Sequence, residues 1–592
     1  MKGLIPAVGV ALLWAAAAAA QEPKPSPTPS PHDDTVKREE VVVVTASKTE
    51  TTLVNAPATL SVVTDQQILT SPAQNYGDLL RSVPGLNVIQ LSARDIQITS
   101  RQSTNTLVNS QLALLDGRSI YLDFFGLVLW DFVPTNPSDI KQIEVVRGPA
   151  SAVWGANALT GVVNIITKSP REAAAGLGTS LTLTGGLMDR DASPVGQDLD
   201  TGNVYGGYFS TNQAPNDRWS YRISGGFNHT DAFPRPVGRV PAATHPLDPS
   251  VPVGGGAPPA TGAFPAFSNT DTNQPKLDIR VDQEVGTSGG RMTYNAGVAG
   301  TKGIIHTGIG PFDILFDSDK RSYMGYGKIG YAKSAFKINA FANLVDAEAP
   351  NLFSTDLQGV PILLSFKTKT FDVELGNSNV VGGKHILSYG GNVRRNTFDI
   401  SIAPASKDRT ELGAYFQDEI FFDRFRFTIG GRVDKFGNLD DPVFSPRITA
   451  MFKPLVSHSI RLSFNRAFRA PSVINNYLDV RIKAPGADFP LGAVCQLSPA
   501  LCASNPGLAR QVLGLGPRAI GSEVARGISP SIPELKEESL NAYEAAYTGT
   551  FGRTTFGLAF YINDTNDNIN FVTTPAVVAS VGLPAVYTAA NP

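Results

Sequence analysis

Two cysteines and six histidines in 592 residues leave little for metal or thiol chemistry. The histidines are scattered without ligand spacing, and Cys495 and Cys502 have no third thiol or histidine nearby, which argues against a structural zinc site. Charged residues make up only 17% of the chain, and Lys plus Arg (50) nearly balances Asp plus Glu (52), so no global field draws in nucleic acid or an anionic membrane. Beyond the first twenty residues no apolar run approaches the roughly 20 residues of a membrane-spanning helix. Enzyme signatures are missing too. There is no nucleophile elbow or Walker loop, and Gly254-Gly255-Gly256 lacks the lysine and the strand–helix context that phosphate binding needs. The chain reads as a non-enzyme without a cofactor or a resident metal.

Glycine (56), phenylalanine (31) and tyrosine (16) are plentiful. That mix suits short strands and aromatic belts, and the length exceeds one ordinary core. Residues 1–20 read as a secretory signal peptide: Met1-Lys2, an apolar core, and Ala18-Ala19-Ala20 as the cleavage site. Residues 21–38 form a linker in which five alternate prolines enforce extended backbone. Residues 39–47 follow, with Glu40, Val41, Val42, Val43, Val44 and Thr45 at their centre. A β-prone segment on a flexible leash, with no local partner, suits strand addition to another protein.

The most informative stretch is Ile140–Lys168. Ile143–Val146 and Val162–Thr167 read as strands, with Gly148-Pro149, Gly155 and Gly161 marking turns and close backbone approaches between them. Glu144 and Arg147 sit at the edges of this unit, placed to tie it to something outside. The full string I-K-Q-I-E-V-V-R-G-P-A-S-A-V-W-G-A-N-A-L-T-G-V-V-N-I-I-T-K resembles the end of the plug domain of TonB-dependent outer-membrane receptors. Leu112–Tyr121 (L-A-L-L-D-G-R-S-I-Y), Asp78–Leu86 and Asn465–Ser472 also match that family. The resemblance implies a plug over residues 53–170 and a membrane β-barrel over 176–592, that is, an all-β barrel with a small α+β plug in its lumen. It makes residues 40–45 the TonB box, pairing with a strand of TonB in the periplasm, with TonB's inner-membrane energising complex behind it.

Within the plug, Thr64 or Asp65 is expected to cap a helix, and Asp116-Gly117 to turn the chain. Where the family has Arg-Gly-Phe, this chain has Arg101-Gln102-Ser103, so only the arginine carries over. Arg101, Gln102 and an aromatic platform of Tyr121, Phe124, Phe125 and Trp130 are the expected ligand contacts, since plug loops at that end touch ligand in the family. A buried plug strand is the competing reading of the same aromatic run.

From residue 176 onward, apolar and polar residues alternate. Phe336, Ile338 and Ala340 are interleaved with Lys337 and Asn339; Phe425, Phe427 and Ile429 with Arg426 and Thr428; Ile460, Leu462 and Phe464 with Arg461, Ser463 and Asn465. Period two with one wet face marks a membrane barrel. Short turns fall at Lys333-Ser334, Phe422-Asp423-Arg424 and Phe551-Gly552-Arg553, and long loops near 231–272, 302–320, 347–366 and 470–538. The short turns are expected in the periplasm and the long loops outside. In an exported loop, Cys495 and Cys502 are expected to pair as a disulfide. About 15 strands are expected against the even counts of single-chain bacterial barrels and the 22 the resemblance implies, which reads as a C-terminal truncation. The expected function is TonB-driven uptake of a scarce metal complex by a monomer in outer-membrane lipid, with a ferric siderophore or cobalamin as external ligand. Importers of nickel chelates or oligosaccharides, and a passive porin or adhesin barrel, are the alternatives.

Overall fold

The computed structural model describes residues 42–591, apart from 49, 74, 103–108, 240–262, 265–266, 288, 318, 438, 483–517, 529–531, 553 and 574–585. The signal peptide, the proline-rich linker, Glu40, Val41, Cys495 and Cys502 therefore lie outside the described residues.

The plug comes first. Strands β1 (Val42–Val43) and β2 (Thr51–Thr52) form a small antiparallel pair, so the valine segment does have a local partner, nine residues downstream. That corrects the expectation of an isolated strand: the chain folds back, and its own backbone fills the ladder positions a partner would take. Strand β3 (Leu60–Thr64) runs into helix α1 (Asp65–Thr70), whose cap is Thr64, in a capping box with Gln67. Helix α2 (Tyr76–Leu80) and the hairpin of β4 (Leu86–Gln90) and β5 (Ile96–Ser100) follow. Strands β6 (Gln111–Leu115), β7 (Arg118–Ser119), β8 (Ile140–Arg147) and β9 (Gly161–Thr167) complete a five-stranded sheet in the order β3-β8-β9-β6-β7. A short helix α3 (Ser151–Trp154) lies between β8 and β9.

A 17-stranded sheet surrounds the plug. Two of its strands, Gly303–Thr307 and Gly310–Ile314, form a hairpin within the expected loop 302–320. The others follow one another as an antiparallel meander from Thr179–Met188 to Thr554–Asn566, and among the described residues each of these two end strands pairs on one side only. The expected loop 347–366 is mostly strand as well, because Phe336–Thr355 and Pro361–Val381 run on well past the 9–11 residues that cross a bilayer. Outward positions such as Phe371, Val373, Ile429 and Leu462 are exposed and apolar, while the intervening Asp372, Thr428 and Arg461 are buried against the plug. No helix among the described residues is long and apolar enough to cross a membrane. Ser334 and Asp423 take left-handed backbone in the short turns that the sequence marks.

Candidate functional site

At the short-turn end, residues 43–59 form a strap tucked inside the lumen. Val43 and Thr45 are fully buried. The Val44 N–H donates to the Glu144 carboxylate at 3.0 and 3.2 Å, and the Thr45 N–H at 2.8 Å. Gln142 Nε2 donates to the same carboxylate at 2.6 Å. Trp154 Nε1 donates to the Thr45 carbonyl at 2.8 Å, and Asn164 Nδ2 to the Thr45 hydroxyl at 3.0 Å. One residue from each of β8, α3 and β9 thus grips the strap, which explains why the turn-rich unit between those strands is needed. Lys48, in left-handed backbone, pairs with Glu374 of the barrel and lies over the rings of Trp154 (4.6 Å) and Tyr415 (4.7 Å). Burial pushes the Lys48 ammonium below its ordinary pKa in spite of Glu374.

The returning limb of the strap is held by arginines from the barrel wall. Arg447 donates to the carbonyls of Ala46 (2.6 Å) and Pro57 (2.8 Å), Arg426 to that of Asn55 (3.0 Å) and Arg461 to that of Ala56 (3.1 Å). Glu544 accepts from the Thr59 hydroxyl at 2.6 Å and pairs with Arg461 and, at 2.5 Å, with Arg101. Guanidinium groups suit this task because each presents several donors in a fixed fork.

The other residues singled out in the sequence divide into two groups. Glu144 is buried in the middle of the plug sheet rather than at its edge, because the partner it serves is the strap. Arg147 donates to the Pro84 carbonyl (2.5 Å) and the Ser61 hydroxyl (3.0 Å) and so braces the plug against itself. Gly148-Pro149 carries the chain from β8 toward α3, and Gly155 takes φ +78 beneath Arg432, where a Cβ would lie 2.9 Å from that guanidinium. At Gly161 a Cβ would meet the Val146 carbonyl at 2.4 Å.

The ligand contacts expected from the sequence are mostly not a surface. The Arg101 side chain is buried on Glu544; Gln102 is exposed and accepts from Ser110. Tyr121, Phe124, Phe125 and Trp130 are all buried. Phe124 stacks on Phe366 of the barrel at 4.5 Å and packs with Phe125, Ile474 and Tyr477, while Trp130 lies against Tyr76. The four rings are core rather than platform: Phe124 lies against Phe366 and Ile474 of the long loops, while Trp130 packs on Tyr76 and the Tyr121 hydroxyl donates to the Asn109 carbonyl within the plug. Sequence reasoning missed Lys48, Glu374, Arg447 and Trp154 as strap contacts. The only signal for them was a basic residue just beyond the valine run and inward-facing arginines in strands.

A lumen filled by a plug, walled by lipid-facing strands and closed at one end by a latched N-terminal strap defines a plugged outer-membrane barrel. Residues 262–592 match the family described as "TonB dependent receptor-like, beta-barrel", and residues 52–162 the "TonB-dependent Receptor Plug Domain". The chain belongs to the TonB-dependent receptor family, whose members are Gram-negative outer-membrane transporters and receptors rather than enzymes. It is 29% identical over 207 residues to a vitamin B12 transporter, BtuB, of Vibrio vulnificus (34% of this chain, 30% of the relative). It is 32% identical over 151 residues to an iron-regulated outer membrane virulence protein of Vibrio cholerae (24% and 22%). The matched stretch thus spans less than a third of these curated relatives. In fold it is similar to the ferric enterobactin receptor PfeA of Pseudomonas aeruginosa, with a TM-score of 0.62, 16% identity, and 93% of this chain and 77% of that one covered. The siderophore receptor PirA of the same organism gives 0.59, 17%, 90% and 79%.

Proposed function

We propose that the full-length receptor imports a metal complex across the outer membrane, driven by TonB pulling on the strap, with a ferric siderophore or cobalamin as cargo. The observation that carries this reading is the latch. A β-prone segment is held at the short-turn end by contacts of its N–H groups with Glu144 and of its Lys48 with Glu374, rather than built into the plug sheet. Such a segment can leave without unfolding β3 to β9, and its free backbone can then add to a strand of a partner. The plug fills the lumen, so passive diffusion does not account for the architecture. Cobalamin is named by one of the sequence relatives, the other being iron-regulated, and siderophores are named by receptors of similar fold. The two are separated by measurement: uptake of radiolabelled ferric enterobactin and cyanocobalamin by cells carrying the full-length receptor, with and without Val42→Pro. Proline removes a backbone donor from the pairing segment. Uptake lost with surface binding retained is the expected result. Uptake indifferent to the substitution would overturn TonB-driven transport.

A further inference from the structure

At the long-loop end, three pieces of the chain meet at one histidine. Residues 91–95 turn the plug hairpin of β4 and β5, with the Leu91 N–H on the Asp95 carbonyl at 2.9 Å. Beside that turn runs the strand Gly303–Thr307, where the Ser92 hydroxyl donates to the Ile304 carbonyl at 2.8 Å. Asp95 is buried, and one of its carboxylate oxygens accepts twice from His306. The donors are the main-chain N–H at 2.6 Å and ring Nδ1 at 2.8 Å. The other oxygen accepts from Gln97 Nε2 at 2.6 Å.

These bonds place the ring proton on Nδ1, so Nε2 of the neutral imidazole is an acceptor. Facing that lone pair, at 3.4 Å, is Nη1 of Arg235. Arg235 belongs to the third piece, the base of the long loop near 231–272. Its guanidinium lies over the Phe267 ring at 3.7 Å and donates to the Asn269 side chain at 3.1 Å. Among the described residues no carboxylate pairs with it. The charges on adjoining residues are already engaged: Arg94 with Asp131 at 3.0 Å, Lys302 with Asp271, and Asp313 with the Thr270 hydroxyl at 2.9 Å. Pro311, opposite His306 in the hairpin, brings no charge. The main chain around Arg235 is bonded outward. Its N–H donates to Gln197 Oε1 at 3.0 Å, its carbonyl accepts from the Gln197 N–H at 2.8 Å, and the Val237 N–H donates to the Val195 carbonyl at 3.0 Å. The contact between Arg235 and His306 therefore ties two outer segments to the plug.

We infer that His306 is a proton-operated clasp at the mouth of the receptor. Neutral, it accepts from Arg235 and holds the loop base on the plug. Protonated, it turns a second N–H toward a guanidinium that cannot give up its own proton, so two donors of like charge face each other. Asp95 favours that second proton and keeps its bonds to the ring in both states, so the loop base is what lets go. Its bearing on cargo rests on the import reading above: cargo is held at neutral pH and leaves faster in acid.

Amide exchange read by mass spectrometry tests the clasp in the full-length receptor without cargo. It is compared at pH 7.5 and pH 5.5, across the range in which histidine changes charge, after correction for the intrinsic effect of pH on exchange. Residues 235–237 should lose about tenfold in protection in acid, as expected for one hydrogen bond to a charged group, while residues 303–307 keep theirs. His306→Gln and Arg235→Gln should each abolish the acid effect. If His306→Gln unfolds the hairpin, seen as lost protection of 303–307 at both pH values, Arg235→Gln alone decides. Equal protection of 235–237 at the two pH values, or an acid effect that survives the substitutions, overturns the clasp. Dissociation of radiolabelled cyanocobalamin and ferric enterobactin from cells is followed at the same two pH values, and comparison with Arg235→Gln cancels changes in the cargo itself. It should quicken about tenfold in acid for the unsubstituted receptor alone; an unchanged rate with the clasp opening overturns its control of cargo. Acid opening in a receptor that takes up neither compound overturns the import reading and leaves the clasp standing.

Discussion

Glu144 is fully buried, and among the described residues no cation pairs with it. A buried carboxylate is costly unless its lone pairs are filled. Three N–H donors fill them here, two from the strap and one from Gln142. The carboxylate therefore needs the strap as much as the strap needs it. Glu144→Gln replaces one acceptor oxygen with an amide NH2, a donor, and removes the charge that strengthens each bond. Losing about 1.5 kcal/mol of charge-assisted bonding should raise the open fraction of the strap roughly tenfold. The check is thiol labelling of Val42→Cys in the full-length receptor without ligand; an unchanged rate would remove Glu144 from the latch. Asp116 offers a test of sign. Burial alone would raise its pKa, but Arg280, Lys328 and two bonds from Thr167 outweigh it and hold the carboxyl below the ordinary aspartate value. A folded pKa below the unfolded one adds stability that is present above the unfolded value and lost as pH falls through the folded one. Thermal scans of detergent-solubilised receptor should show acid destabilisation beginning below about pH 4, and Asp116→Asn should remove that component while costing stability at neutral pH.

At the level of elements, the plug sheet is held to tight tolerances where β8 meets β9. A Cβ at Gly161 would press on the Val146 carbonyl, which belongs to the ladder and cannot move aside. Gly161→Ala should cost about 1–3 kcal/mol by overpacking. Gly117, at φ +79 with nothing within 4 Å of an added methyl group, carries backbone strain alone, so Gly117→Ala should cost only about 1 kcal/mol. Chemical unfolding of the two variants side by side checks the order, and equal losses would refute the steric account. The strands were legible in the sequence because alternation and turn residues are local: Ser334, Asp423, the Asp116-Gly117 turn and the Thr64 cap stand where the chain says. The strap was legible only in part. Its β character shows in the valines, but its fold-back onto Glu144 spans 100 residues and leaves no periodic mark. The aromatic run from Tyr121 to Trp130 misled for a related reason. Composition gives the same residues to a binding platform and to a core, and only the loop segments lying over them decide between the two.

Across the whole molecule, the lumen is closed at its two ends by different chemistry. Toward the long loops the seal joins an apolar stack, Phe124 on Phe366, to the Arg409–Asp123 pair at 3.2 Å and the Ile474 N–H bond to the Phe124 carbonyl at 3.0 Å. Toward the short turns it is polar, with Glu144 and Lys48–Glu374 holding the strap. Cavity formation does not propagate through a close-packed plug unless the sheet itself shifts, and the strands between the two seals pair without interruption from β6 to β9. Each seal should therefore fail independently. Phe124→Ala removes a buried ring at a cost of about 3–5 kcal/mol, and should speed amide exchange at residues 473–478 while leaving Val44 and Thr45 protected. Lys48→Met keeps the stem over Trp154 and Tyr415 but deletes the pair with Glu374, and should do the reverse. Hydrogen exchange read by mass spectrometry on the two full-length variants separates the outcomes. If either substitution loosens both ends, the plug is transmitting between them even without ligand, and the strap is then not a self-contained latch but one end of a single two-state plug.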